Sequence, residues 1–436
     1  MISKCSNCLV WTLTLVTSVL VAASGVYAKQ VISVKMFSPD LYEWHAHEAA
    51  RFMEAYPDIE IEVEQVAGGA NGLSEVVTLG IATGNAPDVV DNPLRVYYPW
   101  ADAGLLVDLL PLMESSEIAH PSLFVPGIIE TKKYKGKLYS APTHFDPPTT
   151  VFQGRWFDEA GLRDPYELYK SDEWCWETGL AAAQKVLQQS PDGSVARWGW
   201  VMSHSTDWSW QAHIVTNGGY TISDDMKLAQ LTSEPVVNAI QWMADAYNVH
   251  GVGTFRGTRV APWNAIAMAT RGATAAERIP EGAPRVQTAP IAPPQCGGAA
   301  AGIVFTDGPI LFDNGEDSVA ASWKYVEWLM SPEAVETLAR VSPGRLPGRI
   351  DTLPAWGDIA AEVFNFPTDE IQNVITMYND IAQHSRLLPF GSHFPEMMSV
   401  LNPAIRDIMN GQADTRLKLE ETQPVVQAVL TKHHGN

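Results

Sequence analysis

The sequence predicts an α/β protein built as two lobes around a hinged cleft. Three observations carry that expectation. Apolar segments of period two and of period 3.6 alternate along the chain, which calls for crossover connections and a mainly parallel sheet. The 436 residues exceed what one compact core accommodates. Two Pro- and Gly-rich links, at 142–148 and in the SPGRLPGR stretch of 342–349, stand far apart, so the chain crosses between lobes more than once.

Residues 1–28 come first. Lys4 precedes an apolar run from Leu9 to Ala23, and the segment closes on Val26-Tyr27-Ala28, which has the small-residue form of a signal-peptidase site. The reading is a cleaved secretory signal. An uncleaved anchor is the competing one, although the run falls short of the roughly 20 apolar residues a membrane span needs. Cys5 and Cys8 precede the run, which argues against a lipid-anchored N-terminus.

VISVKMF (31–37) is short and β-branched, Leu41 to Tyr56 has helical spacing, and IEIEVEQV (59–66) alternates with period two. A helix from Leu73 to Thr83 and the strand DVVD (88–91) continue the pattern. KYKGKLYSAPTHFD predicts a hairpin turning at Lys135-Gly136 and running into the first link. A second α/β lobe follows, with helices at 173–189, 208–216 and 234–247 and a strand at 198–202. The Pro-, Gly- and Ala-rich stretch 279–302 reads as a crossing, IVFTDGPILF (303–312) as a strand pair, and 316–341 as two helices broken before Pro332. Helices fill the remainder. The expected division is a first lobe of 29–145 plus about 285–342 and a second of 146–284 plus about 343–436.

Charge narrows the partners. Fifty acidic residues against 29 basic ones give a formal net charge of −21, and such a surface repels nucleic acid and anionic lipid. Two cysteines outside the leader, Cys175 and Cys296, form either a disulfide or two separate thiols, and spacing does not decide between them.

At this point a family resemblance emerges. FMEAYPDIEIEVEQV (52–66) resembles the helix and Tyr-Pro strand that open the extracellular solute-binding proteins of ABC importers, the group of the maltose-binding proteins. GNAPDVVD (84–91), the aromatic segment after it and GLLVDL (104–109) are similar to the next motifs of that family. KYKGKLYSAP (133–142), VFQGRWFDEAGL (151–162) and AASWKYVEWLMSPEAVETL (320–338) follow in the family's order. Gln153-Gly154 in place of Tyr-Asn, and the polar THFDPP at 143–148, depart from it and leave the ligand's identity open. The resemblance implies a two-lobed periplasmic binding protein fold of type II and binding of a sugar or similar solute without chemistry. It further implies delivery to an ABC permease driven by an ATPase, a periplasmic or extracellular location and a monomeric carrier without a cofactor.

A sugar offers apolar C–H faces ringed by hydroxyls, so its site needs aromatic faces and paired polar groups. Fifteen tryptophans, Trp11 in the leader among them, supply the first requirement. Ligands of open α/β sheets collect beyond the carboxyl ends of the strands. Phe37, Asp40 and Trp44 follow the first strand, and Asp91 and Asn92 follow the third. Asp40, and likewise Asp91-Asn92, also read as helix caps. Of Tyr97, Tyr98 and Trp100, helical geometry lets a minority face one way, with Tyr97 the ligand candidate. His144 and Asp146 sit at the first link. Trp208 and Trp210 diverge by roughly 200° on a helix, so one faces the cleft while the other packs. Trp263 and Asn264 match a family region that touches ligand, Arg345 is a clamp or a hinge turn, and Phe394, after His393, begins a helix.

Two rival functions compete. One is an exported carbohydrate-active enzyme with Asp91 and Asp146 as paired carboxylates; the other is a binder of a polyamine or similar cation, which the negative charge would attract. Signatures of catalysis are missing: His45 and His47 lie two apart on a helix and diverge, GGAAAG (297–302) lacks a phosphate loop's Lys-Ser/Thr ending, and no hydrolase motif occurs.

Overall fold

A computed structural model describes residues 29–435 except 92–95, 203–208, 256–264, 273–285, 300, 304–307, 364–370, 385–387 and 389–390. The leader 1–28 lies outside the described residues. In chain order the first lobe opens with β1 (Gln30–Met36), α1 (Pro39–Ala55), β2 (Ile59–Gln65), α2 (Gly69–Ala82) and β3 (Val89–Val90). β1 pairs in parallel with β2 on one side and β3 on the other. Ile32, Val34 and Met36 alternate into the core, the period-two burial of a half-covered strand. α1 buries Leu41, Trp44, His45, Glu48, Ala49 and Phe52, one face of a 3.6-residue repeat.

Short helices α3 (Tyr98–Asp102), α4 (Leu110–Glu114) and α5 (Pro126–Thr131) lead to the hairpin β4 (Lys133–Tyr134) and β5 (Lys137–Leu138). Its turn falls at Lys135 (φ 50°) and Gly136 (φ 79°) as expected, the double left-handed geometry that suits the twist of a two-residue hairpin. β6 (His144–Phe145) then carries the chain across.

The second lobe contains β7 (Pro148–Gln153), α6 (Gly154–Ala160), α7 (Pro165–Lys170), α8 (Trp176–Val186), β8 (Gln188–Gln189) and β9 (Val195–Val201), then α9 (Ser209–Thr216), α10 (Glu234–Asn248), β10 (Ile266–Gly272) and β11 (Val286–Ala289). The sheet order is β11-β7-β10-β9-β8. Every residue of the interior strand β7 is buried. β11 corrects the expected crossing at 279–302: it pairs antiparallel with β7, Thr288 opposite Val151. Val-Gln-Thr-Ala is too short to show a period, and only the partner strand makes it β. The helix expected at 173–189 is likewise trimmed, because Cys175 sits at its N-cap and Gln188–Gln189 turn back onto β9. Cys175 and Cys296 are joined as a disulfide.

β12 (Ile310–Leu311) adds antiparallel to β3, completing the first sheet in the order β12-β3-β1-β2. α11 (Glu316–Leu329) and α12 (Pro332–Val341) follow, with Ser331 capping the Ala334 N–H. β13 (Leu346–Pro347) and α13 (Leu353–Val363), α14 (Ile371–His384), α15 (Phe394–Met409) and α16 (Thr415–His434) complete the chain. Among the described residues no helix is long and apolar enough to cross a membrane.

Three chain crossings lie side by side. The segment Ser140–Phe145 runs in the middle. On one side the Ala141 N–H donates to Pro309 O at 2.8 Å, and Ser140 bridges Ile310. On the other, β13 pairs antiparallel with β6, and the Gly348 N–H donates to Thr143 O at 3.0 Å. The approach is so close that a Cβ on Gly348 would stand 1.8 Å from Pro142 O, backbone against backbone. Gly348→Ala should therefore destabilise the fold by about 3 kcal/mol or more; an unchanged urea midpoint would show that the crossings do not meet this tightly.

Candidate functional site

The crossings gather charge where hydrocarbon would be expected. Arg345, 5% exposed, donates from Nε to Asp40 Oδ2 at 2.6 Å and from Nη2 to Ser38 Oγ at 3.1 Å, and its Nη1 meets His144 Nε2 at 3.3 Å. Ser342 Oγ donates to the same Asp40 oxygen at 3.0 Å. Burial pushes the Asp40 carboxyl up, but the Arg345 charge and the hydrogen bonds from Arg345, Ser38 and Ser342 outweigh it, holding the group well below the usual carboxylate range. Burial, reinforced by Arg345, lowers the His144 imidazole to about 3, so the ring is neutral at working pH. Asp91 and the fully buried Lys132 lie close enough to act on the same imidazole. One polar hub thus joins the end of β1, the end of β3 and two crossings.

Behind the hub a second line runs through the first lobe. His45 Nε2 meets Asp91 Oδ2 at 2.8 Å, and His45 Nδ1 meets Tyr325 Oη at 2.9 Å. All three side chains are fully buried. Because α1 turns its 41-44-45-48 stripe inward, His45 faces Asp91 while His47 points outward, as the two-residue spacing requires.

Aromatic rings close the opposite side. The Tyr97 and Tyr98 rings lie 4.3 Å apart, tilted by 30°, Tyr98 packs edge-on against Tyr134, and the Tyr134 hydroxyl donates to Asp102 at 3.0 Å. Burial and the Asp102 charge push that phenol up, so it stays a donor. The Ser392 backbone N–H, at the foot of α15, reaches the same hydroxyl. Beside it His393 Nδ1 and His434 Nε2 lie 2.7 Å apart. The first lobe's hairpin and α3 therefore meet the ends of α15 and α16, and Tyr97, Tyr98, Trp210 and Phe394 belong to one continuous apolar cluster.

The residues singled out from sequence sort as follows. Asp40, His144 and Arg345 converge on the crossings, Asp91 stands beside them, and the half-buried Asp146 lies near enough to raise the phenol of Tyr378. Phe37 is half-buried against the shared cluster, which also holds Tyr97, Trp210 and Phe394. Trp44 falls on the buried stripe of α1, is 0% exposed in the first lobe's own core, meets the His144 ring edge-on at 6.3 Å, and donates its indole N–H to Ala334 O at 2.8 Å. Asn92, Trp208, Trp263 and Asn264 lie outside the described residues. Ser38, His45, Lys132 and Ser342 were missed. The inward stripe of α1 pointed to His45; no local pattern marks the other three, and Ser38 and Ser342 meet through Arg345 and Asp40. Among the described residues no three His, Cys, Asp or Glu side chains gather as a metal site.

Two sheet-bearing halves are joined by three adjacent crossings, with a polar hub at the crossings and an aromatic-rich cluster beside it. The chain belongs to the bacterial extracellular solute-binding protein family, whose model matches residues 40–336. An uncharacterised ABC transporter extracellular-binding protein of Pyrococcus horikoshii is 26% identical over 207 residues, covering 44% of this chain and 43% of that protein. The match thus spans less than half the length of that relative. Among solved structures, the cyclic α-maltosyl-1,6-maltose binding protein of Arthrobacter globiformis superposes with a TM-score of 0.74 at 17% identity, over 93% of this chain and 100% of that one. The sugar-binding protein MalE of Xanthomonas citri gives 0.75 at 18% identity, covering 93% and 98%. UgpB of Mycobacterium tuberculosis, in complex with glycerophosphocholine, gives 0.75 at 15% identity, covering 93% and 99%. At these identities the likeness establishes the fold.

Proposed function

We propose that this chain is the exported solute-binding component of an ABC importer and carries a sugar or oligosaccharide in the cleft between its lobes to the permease and its ATPase. The observation that carries the reading is the triple crossing with its hub: Arg345 and Asp40 tie the crossings to the end of β1, and Tyr97, Tyr98, Trp210 and Phe394 gather in one aromatic-rich cluster. That pairing of polar forks and flat apolar faces is what a carbohydrate requires. Solved relatives of the same fold bind maltose-type sugars and tagatose by their names, while one holds glycerophosphocholine, so the cargo class needs a direct test. In this reading Asp91, Tyr97, Asp146, Trp210 and Phe394 contribute to the ligand's surroundings, with Asn92, Trp208, Trp263 and Asn264 as further candidates. Asp40, His144 and Arg345 set the hinge.

Thermal unfolding of the mature protein should shift upward with one sugar from a panel of maltose, maltotriose, cyclic glucans and monosaccharides, by mass action on the folded state. Chromatography of the same mixtures should show intact sugar. A shift with spermidine or putrescine alone would transfer the protein to the cationic reading, and cleaved oligosaccharide would make it an enzyme.

A further inference from the structure

We propose an oxyanion site on the outer part of the second lobe, formed by Arg155 and Arg197 around Trp156. Both guanidinium carbons lie 3.9 Å from the centre of the Trp156 ring. Two groups that near one centroid cannot share a face, so the indole is clamped between two cations. Such stacking fixes a guanidinium through its plane and leaves the N–H edge free to bind.

The cluster is rich in donors and poor in acceptors. Arg197 donates from Nε to Val186 O at 2.8 Å. Its terminal amino groups have no protein acceptor among the described residues, and neither arginine forms an ion pair there. The Nε of Arg155 and the indole N–H of Trp156 are covered and meet no acceptor. By contrast Arg51, Arg163, Arg345, Arg349 and Arg416 each hold a carboxylate. In a chain with 50 acidic residues against 29 basic ones, these two guanidinia neighbour each other without a carboxylate in ion-pair contact among the described residues. Burial lowers the proton affinity of the Arg197 guanidinium; Glu159 opposes this and the charge of Arg155 adds to it. An oxyanion would answer both the unmet donors and the mutual repulsion, and a planar carboxylate or a phosphate fits two forks of this kind.

The place is distinct from the cleft. β7 begins next to the crossings and runs away from them, and Arg155 lies beyond its far end in α6, beside the start of β9. The site therefore does not depend on what the cleft holds. Its ligand is a small molecule bearing phosphate or carboxylate groups.

Calorimetric titration of the mature protein at constant ionic strength, with inorganic phosphate in one arm and citrate in the other, tests this. At least one anion should bind the wild type, and Arg197→Gln should weaken it about tenfold or more. Arg155→Gln should do the same, and Arg197→Lys, which keeps the charge but loses the fork, should recover only part. Arg416→Gln, removed from this cluster and paired with Glu234, should bind as the wild type does. The arm that responds identifies the anion's chemistry. No heat with either anion, or equal affinity in the wild type and both glutamine variants, overturns the site. If a glutamine variant fails to fold, Arg197→Lys decides by the same criterion.

Discussion

Replacing Arg345 with methionine should cost the protein about 3–5 kcal/mol of stability at neutral pH, because it strands a mostly buried Asp40 carboxylate without its counter-charge. Arg345 also holds Ser38 and His144, so its loss loosens β1, β6 and β13 at one point. The sign of the pH dependence follows from the carboxyl. Asp40 is depressed in the folded state, so its contribution is complete above the ordinary carboxylate pKa near 4 and fades as pH falls toward the folded value. The gap between wild type and Arg345→Met should therefore be widest near neutrality and narrow below about pH 4. Urea melts at several pH values measure it. A gap independent of pH would mean that Arg345 acts by packing alone and that the hub is not electrostatic.

Removing the disulfide with Cys175→Ser and Cys296→Ser should be of similar size. The bond closes a span of 121 residues that contains β8, β9, α9, α10, β10 and β11. In the chain-entropy account a loop of about 100 residues is worth about 4.7 kcal/mol, and measured losses run about 2–5. The same bond pins the segment after β11 to the start of α8, where the Trp174 indole already donates to Pro290 O at 2.8 Å. Thermal melts with and without dithiothreitol should differ in the wild type and coincide in the double serine variant. A wild-type midpoint indifferent to reductant would mean that the two thiols are not joined in solution.

Much of the architecture was legible beforehand, and for an identifiable reason. β1, α1 and β2 announce themselves because each buries one face against a neighbour close in sequence, which stamps period two or 3.6 on the residues. The hairpin at Lys135-Gly136 was legible for the same local reason. β11 was not, since its four residues acquire strand character only from β7, more than a hundred positions earlier. In the site, Asp40, His144 and Arg345 were recognised as candidates, yet their mutual contact was invisible: Arg345 and Asp40 are 305 residues apart. Trp44 shows how tertiary packing places a side chain whose type alone does not. Its type suggested a sugar platform, while its position on the α1 stripe sends it into the core.

By itself the sequence determined the alternation of strands and helices, the need for more than one crossing and the family, since these depend on periodicity, turn chemistry and motif order along a local stretch. The tertiary structure alone decided that three crossings lie together, that Gly348 must be glycine, that Cys175 finds Cys296, and that Asp40 and Arg345 neutralise each other. Those outcomes depend on distances of a few ångströms between segments hundreds of residues apart, and no local pattern encodes a distance of that kind.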